Sequence, residues 1–142
     1  TPEPTVHQSI RFQRTVTQIE WSPDSKYLLI NMGHDYNTVG LLVPECKIYE
    51  VATGEVILTR RHQSDNRDIH VNDITWFDAT RFVTAPETGP VTLWNIEGDV
   101  VHEADSGEKS VWRLRMIPGQ ERAVAVTSDH AVVIISFDGT PP

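Results

Sequence analysis

The sequence is short of several things, and each shortage excludes a class of protein. There is one cysteine, Cys46, in 142 residues. No disulfide can therefore form within the chain, and a reducing, intracellular setting (cytoplasmic or nuclear) is expected. Basic residues are outnumbered: 12 Lys and Arg stand against 20 Asp and Glu, for a formal charge of −8. A general nucleic-acid surface needs the opposite sign, so no nucleic-acid partner is expected. No apolar run approaches the roughly 18 to 20 residues of a membrane helix. The opening Thr1-Pro2-Glu3-Pro4 has neither the basic start nor the apolar stretch of a signal peptide, and no membrane partner is expected. The first residue is not methionine, which suggests an excised or processed segment of something longer. No window places apolar residues at spacings of three and four over three turns, so almost no helix is expected.

Short β-type runs separated by turn residues are abundant. Residues 17–21 alternate, with Thr17, Ile19 and Trp21 on one face and Gln18 and Glu20 on the other. Ser22-Pro23-Asp24-Ser25 turns into the apolar run 27–30. Residues 47–51 and 56–59 flank Ala52-Thr53-Gly54-Glu55, as the arms of a hairpin do. The order then repeats: strands at 71–76, 81–84, 91–95 and 100–102, and again from Val111, at 123–127 and at 132–137. Tyr49, Trp94 and Ile135 hold equivalent third-strand positions, 45 and 41 residues apart; Trp21, Trp76 and Met116 end first strands, 55 and 40 apart. Four strands per unit and a period near 40 to 45 describe a propeller blade. Two long loops, 32–45 and 60–70, account for the longer first unit. The expected architecture is all-β, one segment over 1–142: an outer strand at 5–13, blades at 14–60 and 70–104, and three strands of a blade at 110–137.

At these residues the chain resembles the WD40 family. Ser22-Pro23-Asp24 resembles the family's turn after the first strand. Lys47 through Glu55 resembles its third strand and following turn, with Tyr49-Glu50 where Trp-Asp is usual. Thr92-Leu93-Trp94-Asn95 keeps the Trp, and Ser128-Asp129 resembles the aspartate turn before a third strand. The likeness covers about residues 5 to 139. Residues 94–98 and 27–31 also resemble the propeller subunit of the GID/CTLH ubiquitin ligase. The family's hydrogen-bonded set of His, Ser/Thr, Asp and Trp is complete in no unit. Thr84 can partner Trp94, but Glu87 or Thr88 stands where Asp belongs, and Asp129 has Thr127 nearby but Ile135 in place of Trp. No His stands at the usual offset before Val16, Val71 or Val111, although His70 adjoins the second unit. The resemblance assigns structural roles to Trp21, Tyr49, Trp76, Trp94 and Asp129, with core or inter-blade packing for the three tryptophans.

The chemistry-bearing residues form no active site. The six histidines show no paired zinc-ligand spacing, Cys46 reads as a small apolar filler, and no Gly-rich phosphate loop is present. No catalytic residue, metal or cofactor is expected, and the chain is not expected to be an enzyme. The resemblance implies a protein or peptide scaffold that binds through rim loops at 32–45, 60–70, 86–89, 103–109 and 128–130. The candidate contact residues are Tyr36, Leu41 and Leu42 in the first loop, Arg61 and Arg67 in the second, and Trp112. Three blades also leave open edges, and propellers close with about four to eight. A second expectation is therefore assembly with other chains or with copies of itself, two copies giving six blades. A third is a non-catalytic part of a propeller enzyme.

Overall fold

The structure, a computed structural model, describes residues 3–6, 8–12, 15–33, 44–64, 67–107 and 109–138. Among them there is no helix, as the missing helical period predicts. Four strands, β1 (Val16–Trp21), β2 (Tyr27–Met32), β3 (Glu45–Glu50) and β4 (Glu55–Arg60), form the first antiparallel sheet in that order. A small hairpin of β5 (His62–Ser64) and β6 (Arg67–Ile69) follows. The second sheet is β7 (Val71–Trp76), β8 (Arg81–Pro86), β9 (Val91–Asn95) and β10 (Val100–Ala104). The third has three strands, β11 (Val111–Met116), β12 (Arg122–Thr127) and β13 (Val132–Ser136). The hairpin occupies a stretch read from sequence as loop. Its strands are three residues each and largely polar, too short to show an alternation.

Register turns the repeat into geometry. Trp21 pairs with Leu28, Trp76 with Phe82 and Met116 with Ala123, so the three sheets superimpose position by position. The turns repeat too. Gly33 N, Glu87 N and Ser128 N donate to the carbonyls of Thr15, His70 and Ser110 at one rim. At the other rim Val51 N, Ile96 N and Phe137 N donate to Lys26, Thr80 and Glu121. The loops joining blades and the loops between second and third strands therefore share one rim.

The core lies between sheets. The first and second blades each bury a trailing face against the leading face of the next. Leu29, Cys46, Ile48 and Leu58 of the first blade meet Ile74, Trp76, Phe82 and Trp94 of the second. Val83 and Leu93 on the other side of the second meet Leu114, Ala123, Ala125 and Ile135 of the third. Tyr49 and Trp94 are buried where the third-strand equivalence places them. Trp76 is buried too, and its Nε1 donates to the Glu20 carbonyl at 2.8 Å. Trp21 differs from its expected core or inter-blade packing: it is 54% exposed. It stands on the leading face of the first blade, which no sheet covers among the described residues. The pairing of residues 5–13 with a neighbouring blade would involve another sheet and remains an expectation. Within this chain Phe12 packs against Ile30, Met32 and Tyr49, and Gln8 donates to the Tyr49 hydroxyl at 2.6 Å.

Candidate functional site

Three inner strands, β1, β7 and β11, lie side by side, and each carries a β-bulge at the same place. The register shifts at Val16/Gln18, Val71/Asp73 and Val111/Arg113, which leaves Thr17, Asn72 and Trp112 as the extra residues. A bulge turns its surplus side chain off the pleat. Trp112 thus leaves the face of Leu114 and Met116, to which simple alternation assigns it, and half of it is exposed. Around these bulges opens a cleft of about 500 Å³, lined by Thr17, Gln18, His70, Val71, Asn72, Trp112 and Arg113. It sits on the rim shared by the blade-joining loops.

Polar bonds fix its walls. Asn72 Nδ2 donates to the Val111 carbonyl at 3.0 Å, and Arg113 Nη1 returns a bond to the Asn72 carbonyl at 2.8 Å. Arg113 Nη1 also reaches the Trp112 carbonyl, and among the described residues no carboxylate pairs with this guanidinium. Beneath the cleft Asp73, fully buried, ties all three inner strands together. It accepts from Gln18 Nε2 (2.6 Å) and the Ile74 amide on one oxygen, and from the Leu114 amide (2.7 Å) and Arg115 Nη1 (2.9 Å) on the other. Sequence reading missed Asp73; the one available signal was a carboxylate in an inward-alternating place of the strand Val71–Trp76. The cleft therefore presents a half-exposed indole, a guanidinium and a histidine on a rigid frame. Such a set can stack on and donate hydrogen bonds to an extended polypeptide.

The other sequence candidates lie elsewhere. Tyr36, Leu41 and Leu42 fall outside the described residues. Arg61, at the rim, pairs with the buried Glu45 carboxylate at 3.0 Å. Arg67 opens β6. Asp129 accepts from the Thr127 hydroxyl and pairs with Lys109, pinning the loop before the third blade to its aspartate turn. Those bonds, from Lys109 first and then Thr127, hold the Asp129 carboxyl below its ordinary range. Trp94 Nε1 donates to Thr84 Oγ1 at 2.9 Å, the partnership implied by the WD40 resemblance, and His62 Nε2 lies 2.6 Å from the same hydroxyl. The indole can only donate, so the hydroxyl proton of Thr84 is free for His62. Burial pulls His62 down to about 4, so the ring is neutral near pH 7 and able to accept. No His at the usual offset was expected here; His62 enters from the β5–β6 hairpin, nine positions before the strand. Cys46 is buried, and burial, helped by the neighbouring Glu45 charge, pushes its thiol up to about 12. Among the described residues, no three His, Cys, Asp or Glu side chains gather as a metal site.

Solved structures share this architecture. The β-propeller domain of Cps50 (Swd1) from Myceliophteria thermophila superposes with a TM-score of 0.71 at 15% identity, over 96% of this chain and 39% of that one. The chain thus spans about two fifths of that domain. A putative conserved lipoprotein from Clostridium novyi NT superposes with a TM-score of 0.63 at 14% identity, over 88% of this chain and 89% of that one. No protein-family model matches the sequence, and no curated protein matches it. At such identities the likeness concerns fold, and the fold is that of β-propeller blades: two of four strands and one of three.

Proposed function

We propose that the chain is a non-catalytic interaction scaffold of the WD40 type, and that the inner-strand cleft receives an extended segment of a partner protein. The observation that carries this reading is the repeated bulge. Three equivalent surplus residues meet at one rim, and in the third blade that residue is a half-exposed tryptophan beside an arginine that no described carboxylate neutralises. Side chains on a stiff sheet lose little freedom when a ligand arrives, and Trp and Arg are the residues that most often dominate protein interfaces. The β-propeller likeness of a domain from Myceliophteria thermophila supports the fold on which the reading stands. An intracellular setting belongs to the same proposal and rests on the single cysteine.

The test is selection of twelve-residue peptides from a displayed random library on the wild-type chain, followed by titration against variants. Trp112→Ala and Arg113→Ala are each expected to weaken the selected peptides at least about tenfold, the size of a hot-spot truncation. Unchanged circular dichroism is expected, since Trp112 packs in no core cluster. Peptides that bind Trp112→Ala as tightly as wild type would place recognition elsewhere.

A further inference from the structure

The cleft at the inner-strand bulges has a pattern of donors and acceptors that narrows what can fill it. Several of its polar groups are already committed within the protein. Gln18 donates from Nε2 to Asp73 and accepts from Asn31 Nδ2 on Oε1. The Thr17 hydroxyl donates to the Asn31 carbonyl at 3.1 Å, and Asn72 Nδ2 is held by the Val111 carbonyl. Thr17 Oγ1 and Asn72 Oδ1 can still accept, which suits the main-chain N–H groups of an extended segment. On the donor side, among the described residues, Trp112 Nε1 and two nitrogens of Arg113 have no acceptor.

Arg113 decides the charge of the ligand. Its Nη1 serves the Asn72 carbonyl at 2.8 Å and the Trp112 carbonyl at 3.0 Å. That leaves the edge formed by Nε and Nη2, a fork that matches the two oxygens of one carboxylate. The buried Asp73 beneath does not neutralise it, because Asp73 is paired with Arg115 at 2.9 Å. Arg115 being engaged there, one guanidinium is open to a ligand, enough for a carboxylate. A phosphate, with nearly two charges, is usually met by a cluster of arginines. The bond to Asn72 also fixes where the anion sits. It holds the guanidinium over the middle blade, with Thr17 of the first blade on one side and Trp112 of the third on the other.

We infer, resting on the interaction reading above, that the occupant is an acidic extended segment whose internal Asp or Glu side chain pairs bidentately with Arg113. Main-chain N–H groups of the segment meet Asn72 and Thr17, and a residue towards the third blade lies against the half-exposed Trp112 indole. The carboxylate comes from a side chain rather than a chain end, because lining residues stand on both sides of it. The formal charge of −8 opposes such a segment at a distance. Salt screens that repulsion beyond about 8 Å at physiological strength, whereas the fork acts at contact.

The probes are the twelve-residue peptides selected on the wild-type chain, synthesised with both ends capped. They are expected to share an Asp or Glu at one position. Replacing it by Asn or Gln is expected to weaken binding to wild type at least about tenfold, the size of a charge-assisted bond. On Arg113→Gln the same replacement is expected to change binding less than about twofold, the mark of a coupled pair. Peptides that depend on Trp112 but carry no shared acid would overturn this inference and leave the scaffold reading standing; peptides indifferent to Trp112→Ala, or no selected peptide at all, would remove both. An acid whose loss costs as much on Arg113→Gln as on wild type would overturn the pairing. So would loss of binding on capping the C-terminus, or a phosphoserine in place of the acid that binds at least about tenfold tighter. Arg113 is exposed, so its replacement is expected to leave the circular dichroism unchanged. If Arg113→Gln fails to fold, Arg113→Lys, which keeps the charge and loses the fork, decides: loss of the acid is then expected to cost less than on wild type, and an equal cost overturns the bidentate pair.

Discussion

At the scale of single residues, Asp73 does most to hold the inner strands together. Its two oxygens collect two backbone amides, a carboxamide and a guanidinium from three different blades, and its side chain is wholly buried while that of Arg115 is mostly exposed. Removing the carboxylate takes this acceptor from the Ile74 and Leu114 amides and from Gln18 Nε2, but leaves no charge buried, because Arg115 reaches solvent. Asp73→Ala is therefore expected to cost about 3 kcal/mol, near the lower end for breaking a buried pair. Asp73→Asn, which keeps an acceptor for one amide, is expected to cost about half of that. Urea denaturation of both variants checks this; equal and negligible losses would show that the inner strands are held by apolar packing alone. Asp73 was not legible in the sequence because an acidic residue in a strand reads first as part of a wet face. The Thr84–Trp94 bond was legible only through the WD40 resemblance, which pairs a third-strand tryptophan with a hydroxyl of the second strand.

At the scale of elements, the blade strands emerged from alternation, apolar runs and turn residues to within a residue or two at their ends, while the β5–β6 hairpin and the bulges did not, and the described residues of the expected outer strand 5–13 form no strand. A bulge changes facing by one residue without changing composition, so nothing in the sequence marks Trp112 as turned away from Leu114. The hairpin delivers His62 to Thr84 and against Trp94 edge-on, with ring centres 5.7 Å apart. That placement has a pH consequence. Burial lowers His62 from 6.5 to about 4, so between these values the unfolded chain holds a proton that the folded chain refuses. Stability from this residue is complete above pH 6.5 and is lost as pH falls towards 4. The whole effect is at most about 3 kcal/mol, since each tenfold change in proton affinity is worth about 1.4 kcal/mol. Asp24, Asp78 and Asp129 are all held below their ordinary range, so their contributions fade only at lower pH. Denaturant melts from pH 7 to 4.5 are expected to show a falling midpoint, and His62→Asn a flatter one. An identical slope in the variant would assign the titration to another group.

At the scale of the whole molecule, the three blades are joined in a row, each buried only against its neighbours. Stability in such arrays is close to a sum of unit and interface contributions, so position in the row decides how well a blade is protected. The second blade is covered on both faces, and its strands β8 and β9 have a partner on each side. The sequence showed the repeat that builds this row but could not rank the blades, because burial of Trp21 or Val124 depends on what lies beyond the sheet rather than on their own alternation. Hydrogen exchange resolves the ranking. Amides of β8 and β9 are expected to exchange slowest, at rates set by global unfolding. Within β13, the amides bonded to β12 are expected to be protected, while alternate amides, which face no strand among the described residues, exchange fastest. Uniform protection across all three blades would mean that the row unfolds as one unit.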